Sequence, residues 1–313
     1  MLEHAIWELE HNFISGEKKG KAFKDHERSR RRRNLKQYNL ESLFEELSKL
    51  KIHDLSQPLF DGVPVHQADP PFVSAPYRSH EGTAKYFEEG FAYALELIVT
   101  SMHSGTHIDA PCHMSKGGRL FGDIPVEEVS KSQNHGQFSR LGIDEFPLEI
   151  RRGVLLDVAG LKQLDLLPAS YEITEDDLES CLKVAAISIR PGDAVLVRTG
   201  YGPLFSKAPD RYLNSHPGLG GESALWLAER RAALVGTDNL SLDATPTKTY
   251  PAHTELLIRR GIYTIKNLNL ESLASDGASE FLFVALPLKF LGGTGSLIRP
   301  LALSEARQPH KKE

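Results

Sequence analysis

The sequence predicts a single domain of the α/β (α+β) class, and three observations predict it. Short apolar runs with turn residues at or near their ends, GVLLDV, AVLVRTG, ALVGTD, IYTIKNL and FLFVAL, read as buried strands. Segments with the periodicity of amphipathic helices lie between them, and the two kinds alternate unevenly. Residues 50–306 contain neither an internal repeat nor a Pro/Gly-rich linker that would split them.

Residues 1–38 come first and stand apart. GEKKGKAFKDHERSRRRRNLKQ offers few apolar side chains to bury, so this part reads as a polar, basic extension. Its run RSRRRRN suits a nucleic acid or an address signal, but no aromatic residues are interleaved with it, and a solvated arm is the reading favoured here. From residue 39 to residue 306 the pattern is that of a folded domain, and residues 307–313 form a polar tail. In NLESLFEELSKL, Leu40, Leu43, Phe44, Leu47 and Leu50 share one helical face behind Asn39 as N-cap. KIHDLSQPLFDGVPVHQADPPF reads as a short strand and a Pro-rich loop, and YALELIVTSM as a β segment. Helices are expected over TEDDLESCLKVA, capped by Thr174, over ESALWLAERRA, and over HTELLIRR, closed by Gly261.

Composition narrows the class. At 313 residues, with 40% hydrophobic and 25% charged residues, the chain is of the soluble globular type and long enough to bury a sizeable core. A formal net charge of −5 does not suit a bulk nucleic-acid binder. Cys112 and Cys181 are too few for a disulfide framework and form no C-x-x-C pair, which fits a reducing, cytoplasmic compartment. No apolar run approaches the roughly 20 residues that span a bilayer, and MLEHAIWELEHNF lacks the pattern of a signal peptide.

The chemistry concentrates in SMHSGTHIDAPCH, residues 101–113. In an extended chain through His107, Ile108 and Asp109, the imidazole and the carboxylate project to one side and Ile108 to the other. Gly105 permits the bend that returns His103 to the same point, and Pro111 biases Ala110 away from helix. Two histidines and one carboxylate with open positions suit divalent Zn, Mn or Fe. His113, on the next turn, is placed for proton transfer to or from water. Cys112 is not needed as a nucleophile where a metal supplies hydroxide. GGTGS near the C-terminus lacks the Lys and helix of a phosphate loop. His80 and His135 sit in polar loops and read as surface residues.

HSGTHIDAPCH also resembles, at every fixed position, the H-x-G-T-H-x-D-x-P-x-H signature of the metal-dependent cyclase family. That family includes kynurenine formamidase, isatin hydrolase and related lactone and imide hydrolases. The resemblance extends over roughly residues 50–305, through HDLSQPLFDGVP, HPGLGGESALWLAE, GTDNLSLD and EFLFVALPLKFLGGTGSLIRPLAL. It implies a compact β-rich fold of the swivelling β/β/α type and a homo-oligomeric assembly. It also implies His103, His107 and Asp109 as metal ligands, His113 as the proton-transfer residue and His253 in a second half of the site.

Two positions depart from the family. Where kynurenine formamidase has a Glu that helps bind two metals and isatin hydrolase a Gln, this chain has Lys266. An ammonium repels a second divalent cation, so one metal ion per chain, Mn2+ or Zn2+, is expected. Lys266 then either donates to a developing oxyanion or points elsewhere, to solvent or a carboxylate; a carbamate bridging two metals would need special support. His66 stands where kynurenine formamidase has a substrate-contacting Trp, and is read either as a polar substrate contact or as an ordinary loop histidine. Arg198, after a buried strand, is open to both a substrate role and a structural ion pair, and Thr199 beside it to lining the site.

The expected function is a cytoplasmic metal-dependent hydrolase that opens or cleaves a small amide, imide or lactone by metal-activated water, without membrane or nucleic-acid partners. The alternative is a catalytically silent homologue retained as a binding protein, motivated by Lys266.

Overall fold

A computed structural model describes residues 39–131 and 137–305. The basic extension, His135 and the C-terminal tail lie outside the described residues. Backbone proximity divides the chain into Met1–Lys51 with Glu305–Glu313, and Ile52–Ser304. In the first unit, helix α1 spans Leu40–Ser48, and the Asn39 side chain accepts the Glu41 amide at 3.0 Å, as its N-cap position requires. The helix buries none of its residues; Leu40 and Phe44 are 64% and 66% exposed.

The second unit is organised on a nine-stranded sheet, whose first and last strands in chain order extend beyond its bounds by Leu50, Lys51 and Glu305. Its strands are β1 (Leu50–Asp54), β2 (His107–Asp109), β3 (Glu149–Asp157), β4 (Ala194–Arg198), β5 (Leu234–Thr237), β6 (Tyr263–Lys266), β7 (Glu280–Ala285), β8 (Gly295–Leu297) and β9 (Leu301–Glu305). Their spatial order is β1-β9-β7-β3-β4-β5-β6-β2-β8. The middle strands β3, β4, β5 and β6 run parallel, and β7, β2 and β8 are added antiparallel at the two sides. This mixture accounts for the uneven alternation in the sequence. Each expected strand from GVLLDV to FLFVAL is present.

Burial on both faces explains why the middle strands are continuously apolar. Along β4, Val195 and Val197 enter one core cluster with Leu178 and Leu227, while Leu196 enters the other with Ile108, Ile265 and Phe283. Helices α2 (Glu175–Ala185) and α3 (Gly221–Glu229) supply Leu178 and Leu227. Thr174 caps α2 in a full capping box with Asp177.

One element differs in kind from the expectation. HTELLIRR does not continue as an α-helix: helix α4, Pro251–His253, passes into a π-turn over Thr254–Ile258. Asp243 holds the first turn by accepting the Ala252 amide at 2.6 Å, while Leu256 and Leu257 are held in the interior, so an extra residue is taken up between fixed ends. Helical periodicity alone does not distinguish the two windings.

Val73–Arg78 and Leu95–Val99 form a separate antiparallel hairpin in which every residue is exposed. Among the described residues, no helix is long and apolar enough to cross a membrane.

Candidate metal centre

Strand β2 is only three residues long, yet it is paired on both sides. His107 faces Lys266 of β6 and Leu297 of β8; Asp109 faces Thr264 and Gly295. The pleat turns Ile108 into the core and puts His107, Asp109, Thr264 and Lys266 on the opposite face. Gly105, with φ of 55°, makes the preceding bend. That bend returns His103 so that its Nδ1 lies 2.9 Å from Asp109 Oδ1, and His107 Nε2 lies 3.5 Å from the same oxygen. One ligand atom from each of the three residues falls within 4.8 Å of the others.

The remaining ring nitrogens are backed by protein. His103 Nε2 meets Thr294 Oγ1 at 2.9 Å, and His107 Nδ1 meets the Gly105 carbonyl at 2.8 Å. The Gly105 carbonyl can only accept, so it sets the His107 tautomer that leaves Nε2 with its lone pair, while the Thr294 hydroxyl holds the His103 ring in place. Gly295 is required beside them, because a Cβ there would sit 2.7 Å from His103 Cε1. Burial, with the nearby Lys266 charge, brings the His103 pKa down to about 4 and that of His107 well below its ordinary value. Both rings are therefore neutral at neutral pH, the state in which imidazole binds metal.

His113 stacks on His103, with ring centroids 3.9 Å apart and planes 23° from parallel. Burial and its histidine neighbours bring it to about 3, so it too is neutral and has a lone pair to accept a proton. His253 approaches from α4, its Nε2 3.9 Å from Asp109 Oδ2. Asp243, buried, makes a short hydrogen bond to His253 Nδ1 and so directs Nε2 toward the cluster.

The two oxygens of Asp109 face different partners. Oδ1 faces His103 and His107; Oδ2 accepts from Thr264 Oγ1 at 3.2 Å and from Lys266 Nζ in direct contact. Burial pushes the Lys266 ammonium down to about 7. The donor set on the Oδ1 side fits one divalent cation. On the Oδ2 side the ammonium stands where a second cation would need a carboxylate oxygen, so that side does not fit one.

The other sequence candidates fall outside this cluster. His66 is exposed, and its Nδ1 accepts from the Ala68 amide of its own loop. Arg198 is held by Glu271 and Asp157 at 2.8–2.9 Å, an ion-pair arrangement. Thr199 binds Asp238 and Asn239 in the interior. Burial pushes the Cys112 thiol up to about 12, which leaves it unreactive. Asp243, Thr294 and Asp69 were not singled out from the sequence. The charge of Asp69 acts on His103, His113 and Lys266 from the Pro-rich loop. Thr294 is the middle of GGTGS, a segment that enters the sequence reading as a rejected phosphate loop and as part of the family resemblance.

The two histidines and one carboxylate, with two further imidazoles beside them, form a donor set that could hold a metal ion. The family model described as "Putative cyclase" matches residues 53–244, and the chain belongs to that cyclase family. Kynurenine formamidase of Bacillus cereus is 27% identical over 246 residues, covering 79% of this chain and 94% of that protein. A crystal structure described as a novel cyclase is similar at a TM-score of 0.74 and 28% identity, covering 82% of this chain and 87% of its own. Isatin hydrolase A from Labrenzia aggregata is similar at a TM-score of 0.64 and 26% identity, covering 85% of this chain and 99% of its own.

Proposed function

We propose that this protein is a metal-dependent hydrolase that cleaves a small amide, imide or lactone, with one divalent ion, Mn2+ or Zn2+, held by His103, His107 and Asp109. The observation that carries the reading is the division of Asp109, with Oδ1 turned to two neutral histidines and Oδ2 neutralised by Lys266. Similarity to enzymes named kynurenine formamidase and isatin hydrolase supports the reaction class. A divalent cation at this position supplies Lewis-acid polarisation of a carbonyl and acidifies water. His113, stacked on His103, takes the proton released as water attacks and returns it to the leaving nitrogen or oxygen. His253, aligned by Asp243, presents Nε2 to substrate, and Lys266 in its protonated form supplies positive charge near the developing oxyanion.

The reading includes a cytoplasmic location, supported by two buried, unpaired cysteines, and a homo-oligomer. The oligomer is supported by the hairpin of Val73–Arg78 and Leu95–Val99. A two-stranded ribbon exposed on both faces, with Tyr77, Leu97, Ile98 and Val99 each more than half exposed, is not a stable end state for a lone chain.

The test is elemental analysis of protein purified without added metal or chelator, beside Asp109→Ala. Hydrolysis of N-formyl aromatics, cyclic imides and lactones is assayed in parallel. About one divalent ion per chain, lost with activity in Asp109→Ala, is the expected result. Failure to take up Mn2+ or Zn2+ when supplied refutes the hydrolase and favours a binding protein whose site is closed by the Lys266–Asp109 contact.

A further inference from the structure

Gly105, between His103 and His107, has no side chain to steady it, and its φ of 55° is one that glycine leaves readily. Its carbonyl nevertheless carries the hydrogen bond that sets the His107 tautomer. Two donors converge on that oxygen: His107 Nδ1 at 2.8 Å and the Asn267 side-chain amide Nδ2 at 2.6 Å. The second bond occupies the remaining lone pair and fixes the peptide plane.

Asn267 is suited to this and to little else. It is completely buried and follows Lys266 at the end of β6 with φ of 56°, a left-handed conformation that Asn adopts more readily than most side chains. Its own carbonyl accepts from Thr106 Oγ1 at 2.6 Å, so one residue holds the Gly105 carbonyl and the Thr106 side chain together. Its amide is held from both ends: the Gly105 carbonyl requires its NH2, and the Tyr212 hydroxyl, whose one proton is shared with the Asp238 carbonyl, donates to Asn267 Oδ1 at 2.7 Å. A flipped amide would set its oxygen against the Gly105 carbonyl oxygen and take from Tyr212 the nearer of its two acceptors. Tyr212 is itself buried, its hydroxyl also 2.9 Å from the Asp238 carbonyl.

We propose that Asn267, locked by Tyr212, is a positioning residue that holds His107 in the Nδ1–H tautomer with Nε2 free toward the metal. It acts through the Gly105 carbonyl and touches neither substrate nor ion. The inference rests on the metal-site assignment above. It assigns a metal-affinity role to a side chain and a phenol that belong to no part of the H-x-G-T-H-x-D-x-P-x-H segment.

The test compares wild type with Asn267→Gly, which removes both amide contacts while keeping an unstrained left-handed backbone, and with Tyr212→Phe, which removes one oxygen. Leu227→Ala, in the core on the other face of the sheet, controls for lost stability. Mn2+ and Zn2+ affinities are measured by competition dialysis, and histidine ring 15N shifts are recorded on metal-free protein. Asn267→Gly is expected to bind metal roughly 10- to 100-fold more weakly, Tyr212→Phe to fall between it and wild type, and Leu227→Ala to match wild type. In both network variants the His107 shifts move from the Nδ1–H pattern toward a tautomer mixture. Unchanged affinity and unchanged 15N shifts in folded Asn267→Gly overturn the proposal, as does a loss in Leu227→Ala equal to that of Asn267→Gly. If Asn267→Gly does not fold, an unaltered Tyr212→Phe overturns it. A wild type that takes up no metal refutes the hydrolase, and the metal-free 15N shifts then decide the positioning role alone.

Discussion

Lys266→Met removes the ammonium from Asp109 Oδ2 and puts a side chain of similar length in its place. Asp109 is wholly buried, and without Lys266 its Oδ2 retains the Thr264 hydroxyl at 3.2 Å and the more distant His253 ring. Removing one member of a buried pair leaves an uncompensated charge and costs about 3–5 kcal/mol. At about 2 °C per kcal/mol for a chain of this size, the metal-free variant should melt about 6–10 °C below wild type at a pH below the Lys266 value of about 7, where the ammonium is charged. Added Mn2+ or Zn2+ supplies positive charge to the same carboxylate and no longer meets the ammonium. At a free concentration of 100 times Kd it returns about 2.7 kcal/mol, so saturating metal should close much of the gap. Thermal melts of both proteins, stripped and metal-loaded, measure this directly. A stripped variant within about 1 °C of wild type, or equal metal-induced shifts in the two proteins, would show that Lys266 does not neutralise Asp109 and would refute the argument.

Lys266→Glu goes further, because it sets a second carboxylate beside Asp109 Oδ2 and His253; elemental analysis should rise from one divalent ion per chain toward two, and an unchanged ratio would sever the link between this residue and nuclearity. Asp243→Asn weakens the alignment of His253 without touching the His103–His107–Asp109 set, so hydrolysis should fall roughly 100-fold with metal content unchanged, and a parallel loss of metal would place His253 among the ligands. Burial, partly opposed by the Pro217 carbonyl and Asp243, holds the His216 pKa below 6.5, so the unfolded chain binds a proton that the native one refuses. The stability this gives is fully present above about pH 6.5 and is lost as pH falls through the lowered native value. Urea unfolding of His216→Gln should show a shallower loss between pH 7 and pH 5 than wild type; an identical slope would count against the burial argument.

Much of the site was legible in the sequence because its signals are local. Strand pleating fixes that His107 and Asp109 share a face once HID is extended, and a glycine four residues before Asp109 is enough to bring His103 back. The caps at Asn39 and Thr174 depend on residues two or three apart, and both formed where expected. The helical face of α1 was equally plain as a pattern, but a pattern states what is apolar and not what covers it, and Leu40 and Phe44 are exposed.

What only the tertiary structure decided are relations between residues far apart in the chain. In the sequence Lys266 reads evenly as an oxyanion donor or as a side chain turned away to solvent or a carboxylate, and the antiparallel register of β6 on β2 puts it on Asp109. Thr294 gains its meaning from β8 lying against the other edge of β2, Asn267 from reaching Gly105, and Tyr212 from reaching Asn267. The sequence by itself determined the ligand types, their shared face and the turn that gathers them, since backbone geometry acts over a few residues. The tertiary fold determined which oxygen of Asp109 faces histidine and which faces lysine, because that depends on which strands pair, and pairing is settled by burial of whole faces rather than by any local signal.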